Sequence, residues 1–290
     1  MSVFVQQSGT VCDFSDSDSW VILSPIEQSI KRKIEAVGTP LKDWDIQINY
    51  GIKTGYNEAF IIDTTKREEI LSNCQTEDER KRTAELIRPI LRGRDIKRYG
   101  YEWANLWLIN THNGIKGKLE RIHIEDYPAV KAHFDLFWDK IKDRADQGDT
   151  PYNLRNCAYL EDFSKPKIIF QEIVQESQFM MDSDGIFFCN DTGRIIVGEQ
   201  LYHLLGIMNS KIFFYSIKHF YGGGTLGEQG IRMKHTFFEQ FPCLPFSCEI
   251  DSLVRSILNN AKSDECREID TIIFNLYHFS PNEISLILND

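Results

Sequence analysis

Apolar residues repeat at helical spacing near the start of the chain, in the stretch "SPIEQSIKRKIEAVG". One face of this stretch carries apolar side chains at the spacing of an amphipathic helix: Ile26, Ile30, Ile34 and Val37. Ser24 and Glu27 form a capping box, Pro25 suits a first helical turn, and Gly38 stands where the pattern ends. The pattern predicts a helix that begins after Ser24 and ends before Gly38.

Period-two alternation follows in "WDIQINYGIKTGYNEAFIID". Ile46 and Ile48 alternate with polar residues, Gly51 and Gly55 interrupt the run, and "AFII" is a second short apolar run. This arrangement of strand, glycine turn and strand predicts a β-hairpin with polar residues at its tip.

Two longer helical patterns occupy the middle of the chain. Residues 77–91 are charged and amphipathic as far as a break near Pro89, after which a basic turn leads into an aromatic strand, "RGRDIKRYGYEWANLWLIN". The stretch "YPAVKAHFDLFWDKIKDRADQG" predicts a helix. The apolar side chains that we expect on its core-facing side are Val130, Phe134, Phe137 and Ile141.

Short apolar runs separated by turn signals at 184–185 and 191–193 predict an antiparallel meander over residues 166–197. Helical patterns return after residue 198, and the last forty residues predict two or three short helices with a second capping box at Ser280 and Glu283. Strands and helices are mixed without strict alternation. The chain is therefore predicted to be α+β, with a mixed or antiparallel sheet core flanked by helices and a small C-terminal helical segment.

Composition and charge narrow the class of protein. The chain has 290 residues, of which 42% are hydrophobic and 26% charged, as in ordinary globular proteins. We expect a cytoplasmic protein, since there is no long apolar run and no signal-like start, and the seven cysteines without a C-x-x-C pair predict reduced core thiols. The net charge is −10, but residues 76–100 carry eight bases against five acids, so a basic face is predicted in the middle of the chain.

Catalytic motifs are not found in the sequence. Gly222, Gly224 and Gly227 give the spacing G-x-G-x-x-G, but an aromatic helix precedes them, whereas a dinucleotide site requires a strand there. We also find no P-loop, no G-x-S-x-G and no H-E-x-x-H. We predict no catalytic residue, no metal site and no cofactor in this chain, and whether it belongs to an enzyme stays open at this point.

Binding chemistry is better represented. Guanidinium and ammonium groups grip phosphates or read guanine edges, hydroxyl and amide groups at a loop tip supply further donors, and glycines let backbone amides approach a phosphate. The candidate nucleic-acid-binding residues on the predicted hairpin tip, the basic turn and the glycine loop are Lys53, Thr54, Tyr56, Asn57, Arg92, Arg94, Lys97, Arg98, Gly223, Gly224, Arg232 and Lys234. The alternative is that the first two groups are ordinary solvated turns.

Several stretches in this order resemble a known family. They are "GIKTGYNEAFII", "LIRPILRGRDIKRYGYEWANLWLI", "KPKIIFQEI", "YHLLGIMNSKIFFYSIKHFYGGGTLGEQGIRMKHTFFEQFPCLP" and "IDTIIFNLYHFSPNEISLI". Together they are similar to the TaqI-like C-terminal specificity domain, the target-recognition part of type II and type IIG restriction-modification enzymes that methylate adenine. The resemblance extends over nearly the whole chain.

The resemblance implies sequence-specific recognition of double-stranded DNA. In the family a methyltransferase domain binds S-adenosylmethionine and flips the target adenine into a pocket closed by an Asn-Pro-Pro-Tyr type motif, and some members also carry a nuclease domain. That motif does not occur here. The resemblance therefore implies that this chain is a part of such an enzyme. Its expected partners are DNA and a methyltransferase domain or subunit, and no membrane is expected to take part.

The same resemblance divides the chain into an N-terminal arm (1–24), a DNA target-recognition domain (25–246) and a C-terminal helical cap (247–290). It places the hairpin tip, the basic turn and the glycine loop on the DNA side. Two alternatives from other classes stay open: a nucleotide-binding or enzymatic domain that uses the glycine loop at 222–230, and a protein-interaction module whose acidic ends bind a partner.

Overall fold

The structure is a computed structural model and describes residues 23–222, 230–260 and 263–290. Within these ranges the chain forms twelve α-helices. In chain order they are α1 (Pro25–Val37), α2 (Asn57–Phe60), α3 (Thr64–Ser72), α4 (Glu77–Leu86), α5 (Pro128–Asp135), α6 (Trp138–Ile141), α7 (Leu201–Met208), α8 (Lys211–Ser216), α9 (His235–Phe238), α10 (Cys248–Asn260), α11 (Ser263–Leu276) and α12 (Pro281–Leu288).

The described part of the chain also forms fourteen short strands. This mixture of helices and strands confirms the predicted α+β class. They are β1 (Thr39–Pro40), β2 (Ile46–Tyr50), β3 (Ile61–Asp63), β4 (Ile87–Leu91), β5 (Ile96–Lys97), β6 (Gly100–Tyr101), β7 (Leu106–Ile109), β8 (Lys167–Gln171), β9 (Ile173–Val174), β10 (Phe179–Asp182), β11 (Phe188–Cys189), β12 (Gly193–Gly198), β13 (Ile231–Arg232) and β14 (Pro242–Cys243).

The chain divides into two compact units. The sheet unit consists of residues 47–172 and 178–201, and the helical unit takes in residues 173–177 together with the described parts of 1–46 and 202–290. The boundaries predicted above for an arm, a recognition domain and a cap remain predictions.

Two four-stranded sheets form the core of the sheet unit. The first has the order β10-β8-β12-β2, and β8 is antiparallel to both β10 and β12. The second has the order β11-β4-β7-β3, in which β4 and β3 are antiparallel to β7 and β11 is parallel to β4. Apolar side chains from both sheets and from α5 belong to one buried cluster, which includes Phe60, Phe134 and Ile169.

A buried ion pair sets the register of β8 and β10. Lys167 and Asp182 are opposite each other in the two strands, and the Lys167 ammonium lies 2.5 Å from the Asp182 carboxylate. Lys167 also donates to the carbonyl of Phe163 (2.6 Å), and Asp182 accepts the backbone N–H groups of Ile186 and Phe187. A slip of one residue would separate the two buried charges and leave each without its oppositely charged partner, which is strongly unfavourable.

The backbone following β2 crosses to the second sheet beside a tight turn formed by residues 190–193, called here the 190–193 turn. The N–H of Gly51 donates to the carbonyl of Gly193 (3.0 Å), and the N–H of Ile52 donates to the carbonyl of Cys189 (2.8 Å). A Cβ atom at position 51 would lie 1.9 Å from the carbonyl oxygen of Asn190. Only glycine allows the two backbones to approach this closely.

The helical unit begins with α1, whose predicted caps and apolar stripe are confirmed. Ser24 and Glu27 form the capping box, and Ile30 and Ile34 are fully buried. In the same unit the capping box predicted at the start of α12 is present, since the Glu283 carboxylate accepts the N–H and hydroxyl of Ser280.

The predicted hairpin at residues 46–63 is wrong. β2 pairs in the first sheet next to β12, β3 pairs in the second sheet with β7, and the short helix α2 separates them. The glycine signals at 51 and 55 mark a close backbone approach and a left-handed residue (Gly55, φ 70°), not a hairpin turn.

The helix predicted over residues 77–91 ends early. α4 stops at Leu86, and Ile87–Leu91 is the strand β4. The residue before a proline disfavours helical backbone, and the buried side chains of Ile87 and Ile90 find partners in the sheet. Pro89, which has no N–H, is accommodated because the pairing of β4 with β11 begins only at Ile90.

Two further expectations are partly confirmed. The antiparallel pairing predicted for residues 166–197 is present, but the order is not that of a meander, since β8 lies between β10 and β12 and β11 joins the other sheet. The helix predicted at 127–148 is split into α5 and α6, with Val130, Phe134 and Ile141 fully buried and Phe137 only partly buried. Two or three helices were predicted for the last forty residues, and the described part of the chain after residue 247 forms three. Among the described residues, none of the helices has the length and apolarity needed to cross a bilayer.

The crossing at Gly51 generates the first prediction. Gly51→Ala places a methyl group against the Asn190 carbonyl and should destabilise the chain by about 3 kcal/mol or more, measured by urea denaturation. The matched control is Gly100→Ala, because a Cβ at position 100 meets no atom within 4 Å. The control should stay within about 0.5 kcal/mol of the parent. Equal stability of the two variants would contradict the close approach.

Glu283 generates a prediction about pH. Burial opposes its ionisation, but hydrogen bonds from Lys33, Ser280 and Ser29 outweigh it and lower the pKa of Glu283 to about 2. Because the folded-state pKa lies below the unfolded value, the stabilisation is complete above about pH 4.5 and is lost as the pH falls toward 2. Glu283→Gln should therefore cost on the order of 3 kcal/mol at pH 7 and much less at pH 3. Urea denaturation at the two pH values measures this cost. The control is Glu249→Gln at an exposed position, and its cost should be the same at pH 7 and at pH 3.

Candidate nucleic-acid interface

The 53–57 loop connects β2 to α2 in the sheet unit. Lys53 is exposed, and its ammonium has no hydrogen bond or ion pair within the described part of the chain. Thr54 is buried (2% exposed), and its hydroxyl donates to the Asn57 side chain (2.5 Å) at the start of α2. The hydroxyl of the half-buried Tyr56 donates to Glu58 (2.6 Å), and its ring packs near Phe137. The loop therefore carries one cation, Lys53, that has no partner among the described residues, and its other polar groups mainly hold its shape.

A buried arginine that the sequence analysis missed anchors this loop. Arg144 is 6% exposed, and its guanidinium donates to the backbone carbonyls of Thr54 (2.8 Å), Pro151 (2.7 Å) and Asn153. It also lies over the ring of Phe60, 4.4 Å from the centroid. Burial lowers the pKa of Arg144 to about 10, which still leaves it charged at neutral pH. Nothing in its local sequence distinguishes it from the exposed charges around it.

The 92–98 turn follows β4 and begins with an internal ion pair. The Arg92 guanidinium donates to both carboxylate oxygens of the buried Asp95, at 2.7 Å in its closest contact. Burial opposes ionisation of Asp95, but hydrogen bonds from the Arg92 side chain and backbone lower its pKa below the ordinary value. This bidentate pair fixes the turn, so Arg92 is already engaged within the protein.

The other three cations of the 92–98 turn differ in how strongly they are held. Arg94 is exposed, and no hydrogen bond or ion pair joins its side chain to a described residue. Lys97 donates to the carbonyl of Arg94 (3.0 Å) and lies 3.6 Å from Glu102. The Arg98 guanidinium lies 5.5 Å from the ring of Tyr99, and its buried Nε has no hydrogen-bond partner among the described residues. Arg94 is thus the least constrained of the four.

The 190–193 turn brings these two elements together. Gly51, two residues before the 53–57 loop, donates to the carbonyl of Gly193 as described above, and the N–H of Gly93 donates to the hydroxyl of Thr192 (3.0 Å). A Cβ at position 93 would lie 3.0 Å from that hydroxyl, so this contact is also tight. The loop and the basic turn predicted from separate stretches of sequence therefore flank a single rigid support.

A second buried arginine, also missed by the sequence analysis, holds the support itself. Arg194 donates to the carbonyls of Asp191 and Gly193 (both 2.9 Å) and to the Glu172 carboxylate. Its guanidinium lies 4.2 Å from the centroid of the Tyr50 ring. The turn is closed further by the N–H of Gly193, which donates to the carbonyl of Asn190 (2.9 Å).

The third predicted element belongs to the helical unit. Arg232 is exposed at the end of β13, which pairs with β9, and Lys234 is exposed immediately before α9 with its ammonium 5.6 Å from the Phe237 ring centroid. Gly223 and Gly224 lie outside the described residues.

Comparison with known proteins identifies a family model over most of this region. The model of the TaqI-like C-terminal specificity domain matches residues 88–242, which include the 92–98 turn, the 190–193 turn, Arg232 and Lys234. The 53–57 loop precedes the matched segment.

A curated relative and two solved structures are similar over more of the chain. The type II methyltransferase M.BanIII of Aneurinibacillus aneurinilyticus is 25% identical over 254 residues, covering 79% of this chain and 40% of that protein. The type IIL restriction-modification enzyme MmeI, solved in complex with DNA, has a TM-score of 0.59 at 12% identity, with coverage of 87% of this chain and 36% of that one. For the type IIG restriction endonuclease BpuSI the TM-score is 0.54 at 15% identity, with coverage of 90% and 31%. The chain thus spans less than half the length of these proteins. Its likeness to the two solved structures is a likeness of fold.

Arg144 generates a prediction about the 53–57 loop. Arg144→Met keeps an apolar stem over Phe60 but removes the guanidinium that donates to three carbonyl groups, of which that of Asn153 keeps the N–H of Gly148. This loss should cost about 3 kcal/mol in the free energy of unfolding. The matched control is Arg155→Met, since the Arg155 side chain is 52% exposed and, among the described residues, pairs only with Asp146. An exposed pair of this kind contributes about 0–1 kcal/mol. Urea denaturation measures the free energy of unfolding of both variants. If Arg144→Met lowers it as little as Arg155→Met does, the anchoring role of Arg144 is contradicted.

Proposed function

Because this chain belongs to the family of TaqI-like C-terminal specificity domains, we propose that it recognises a short sequence in double-stranded DNA on behalf of a restriction-modification adenine methyltransferase. The observation that carries the proposal beyond family membership is the pair of free cations, Lys53 and Arg94, on two elements that flank the 190–193 turn. Cations without internal partners are available to phosphates and base edges, and a rigid support lowers the entropic cost of placing them.

The candidate residues divide into two roles. Lys53, Arg94 and Arg98 contact DNA, with Arg94 as the residue most able to form a bidentate contact to a guanine edge. The others on these two elements shape the protein or add weaker contacts. They are Thr54, Tyr56, Asn57, Arg92 and Lys97. Arg232 and Lys234, with the glycine loop that contains Gly223 and Gly224, provide a further DNA-side element.

The chemistry of methyl transfer belongs to the remainder of such an enzyme. This chain spans 40% of the methyltransferase M.BanIII, and we propose that it acts beside a domain or subunit that binds S-adenosylmethionine and methylates adenine. The specificity chain then selects the site and orients the catalytic domain on it. A location in the cytoplasm, where such an enzyme would meet DNA, stays a prediction.

Selection from a random duplex pool tests the proposal at the level of the whole chain. We expect enrichment of one short motif, with an affinity that falls steeply between about 50 and 200 mM salt because phosphate contacts release counterions. Stabilisation by free nucleotides together with indifference to duplex DNA at both salt concentrations would instead favour the nucleotide-binding alternative. Absence of binding to any nucleic acid would favour a protein-interaction module.

Arg94→Ala tests the assignment of the basic turn. If Arg94 reads a base, the variant should lose roughly 1–3 kcal/mol of binding free energy for the enriched motif and tolerate substitution at one position of it. If it contacts phosphate, binding should weaken on all sequences, with a salt slope smaller by about one. Titrations of the selected duplex at several salt concentrations separate the two cases.

The matched control for Arg94→Ala is Arg80→Ala, which removes an exposed arginine from α4 of the same unit. Both variants should keep the thermal stability of the parent, because neither side chain forms an ion pair or hydrogen bond within the described chain. Equal DNA affinity of the two variants would remove Arg94 from the interface.

A further inference from the structure

Aromatic side chains form a surface patch on the helical unit. The rings of Trp44 and His203 are stacked, with centroids 5.8 Å apart and an interplanar angle of 9°. The Phe246 ring lies 5.6 Å from that of His203. Phe246 is 45% exposed, Trp44 is half-buried and His203 is fully buried. These three residues are called here the aromatic patch. Aromatic side chains are enriched on surfaces that bind other proteins.

Hydrogen bonds hold Trp44 in place. Its indole N–H donates to the carbonyl of Thr39 (3.2 Å), and its backbone N–H donates to the carbonyl of Leu41 (3.1 Å). The N–H of Leu41 donates in turn to the carbonyl of Phe241 (3.0 Å). A ring that is already held loses little conformational entropy when a partner binds to it.

The buried histidine of the patch is satisfied within the protein. Its Nε2 donates to the carbonyl of Leu244 (3.1 Å), and its Nδ1 accepts the N–H of Ser247 (3.3 Å). Burial lowers the pKa of His203, so the ring is neutral at physiological pH. The aromatic patch therefore carries no positive charge of its own.

Acidic residues adjoin the aromatic patch. Two exposed carboxylates stand on either side of Trp44 in the sequence, and a third stands three residues after Phe246. No ion pair or hydrogen bond joins any of them to a described residue. They are Asp43, Asp45 and Glu249. Lys42 adds one positive charge, and its ammonium donates to the side chain of Gln240 (3.1 Å). The surroundings are therefore net negative, which disfavours the phosphates of DNA and favours a cationic partner.

The helical unit already binds one arginine between an aromatic ring and a carboxylate. The Arg255 guanidinium lies 3.6 Å from the centroid of the Tyr202 ring and donates to Asp251 (2.6 Å). Trp44 and the carboxylates beside it offer the same two kinds of group. Among the described residues, the ring of His203 is the only ring or cation that packs against the indole. The groups that would hold a second arginine or lysine are thus present without the cation.

We infer that the aromatic patch binds a basic segment of a protein partner. An arginine or lysine side chain of that segment lies against Trp44 and the flanking carboxylates, and an apolar neighbour lies against Phe246. This surface takes no part in the DNA contacts proposed above, so the inference is independent of the proposed function. Residues 1–22 of this chain carry three acids and no lysine or arginine, and therefore do not match the patch in charge.

Selection of random short peptides displayed on phage tests the inference with the full chain. We expect enrichment of peptides in which an arginine or lysine stands next to an apolar residue. A synthetic peptide with the enriched sequence should bind in calorimetry, with an affinity that falls as salt screens the charges. Enrichment of peptides without basic residues, or no enrichment at all, would overturn the inference.

Two variants tie peptide binding to the aromatic patch. Trp44→Ala removes the ring and should weaken the selected peptide by at least about tenfold. Asp43→Asn combined with Asp45→Asn keeps the ring, and should weaken the peptide by about fivefold and flatten its salt dependence. The matched control is Trp138→Ala, which removes a tryptophan of similar exposure (40%) from α6 of the sheet unit and should leave the affinity unchanged.

Thermal denaturation shows whether each variant is folded, and the double asparagine variant gives a second reading if Trp44→Ala fails to fold. Unchanged peptide affinity in the folded variants would overturn the inference. Displacement of the selected peptide by a peptide of residues 1–22 or by duplex DNA would assign the patch to that occupant instead. A dimer in sedimentation that Trp44→Ala dissociates would assign it to a second copy of the chain. A chain that selects a DNA motif but no basic peptide leaves the proposed function intact.

Discussion

The close approach of Gly51 to the carbonyl of Asn190 is the constraint on which the sheet unit depends. It lets one strand leave the first sheet and bond to the edge of the second, so that a single turn is shared by both. Arg194 closes this turn from inside with two backbone hydrogen bonds and an ion pair to Glu172. The 92–98 turn is bonded to this support through Gly93, and the 53–57 loop follows Gly51, which is bonded to it as well, so the core fixes where both elements begin.

Buried and exposed cations have opposite roles in this arrangement. Arg144, Arg194 and Lys167 are buried, and each is matched by carbonyl or carboxylate oxygens that fix a loop, a turn or a strand register. Lys53 and Arg94 are exposed, and no oxygen of a described residue bonds to either side chain. A chain whose net charge is −10 can in this way present positive groups locally to a polyanion.

The sequence predicted correctly those features that depend on residues close together in the chain. The caps of α1 and α12, the antiparallel strands of residues 166–197 and the α+β class follow from spacing alone. The hairpin at 46–63 was wrong because the partners of its two strands are distant in sequence. The helix predicted over residues 77–91, with a break near Pro89, ends already at Leu86 because residues 87–91 pair as a strand with β7. Arg144 and Arg194 could not be singled out, since only long-range packing separates a buried arginine from an exposed one.

The central claim is that DNA lies against the 53–57 loop and the 92–98 turn. Hydrogen exchange of the full chain, with and without a duplex that it selects, measures this most directly. The account predicts slower exchange at both elements with the selected duplex, little change with a scrambled duplex, and no change in α3 and α4 with either. Protection confined to other surfaces, with both elements exchanging as in the free chain, would contradict it.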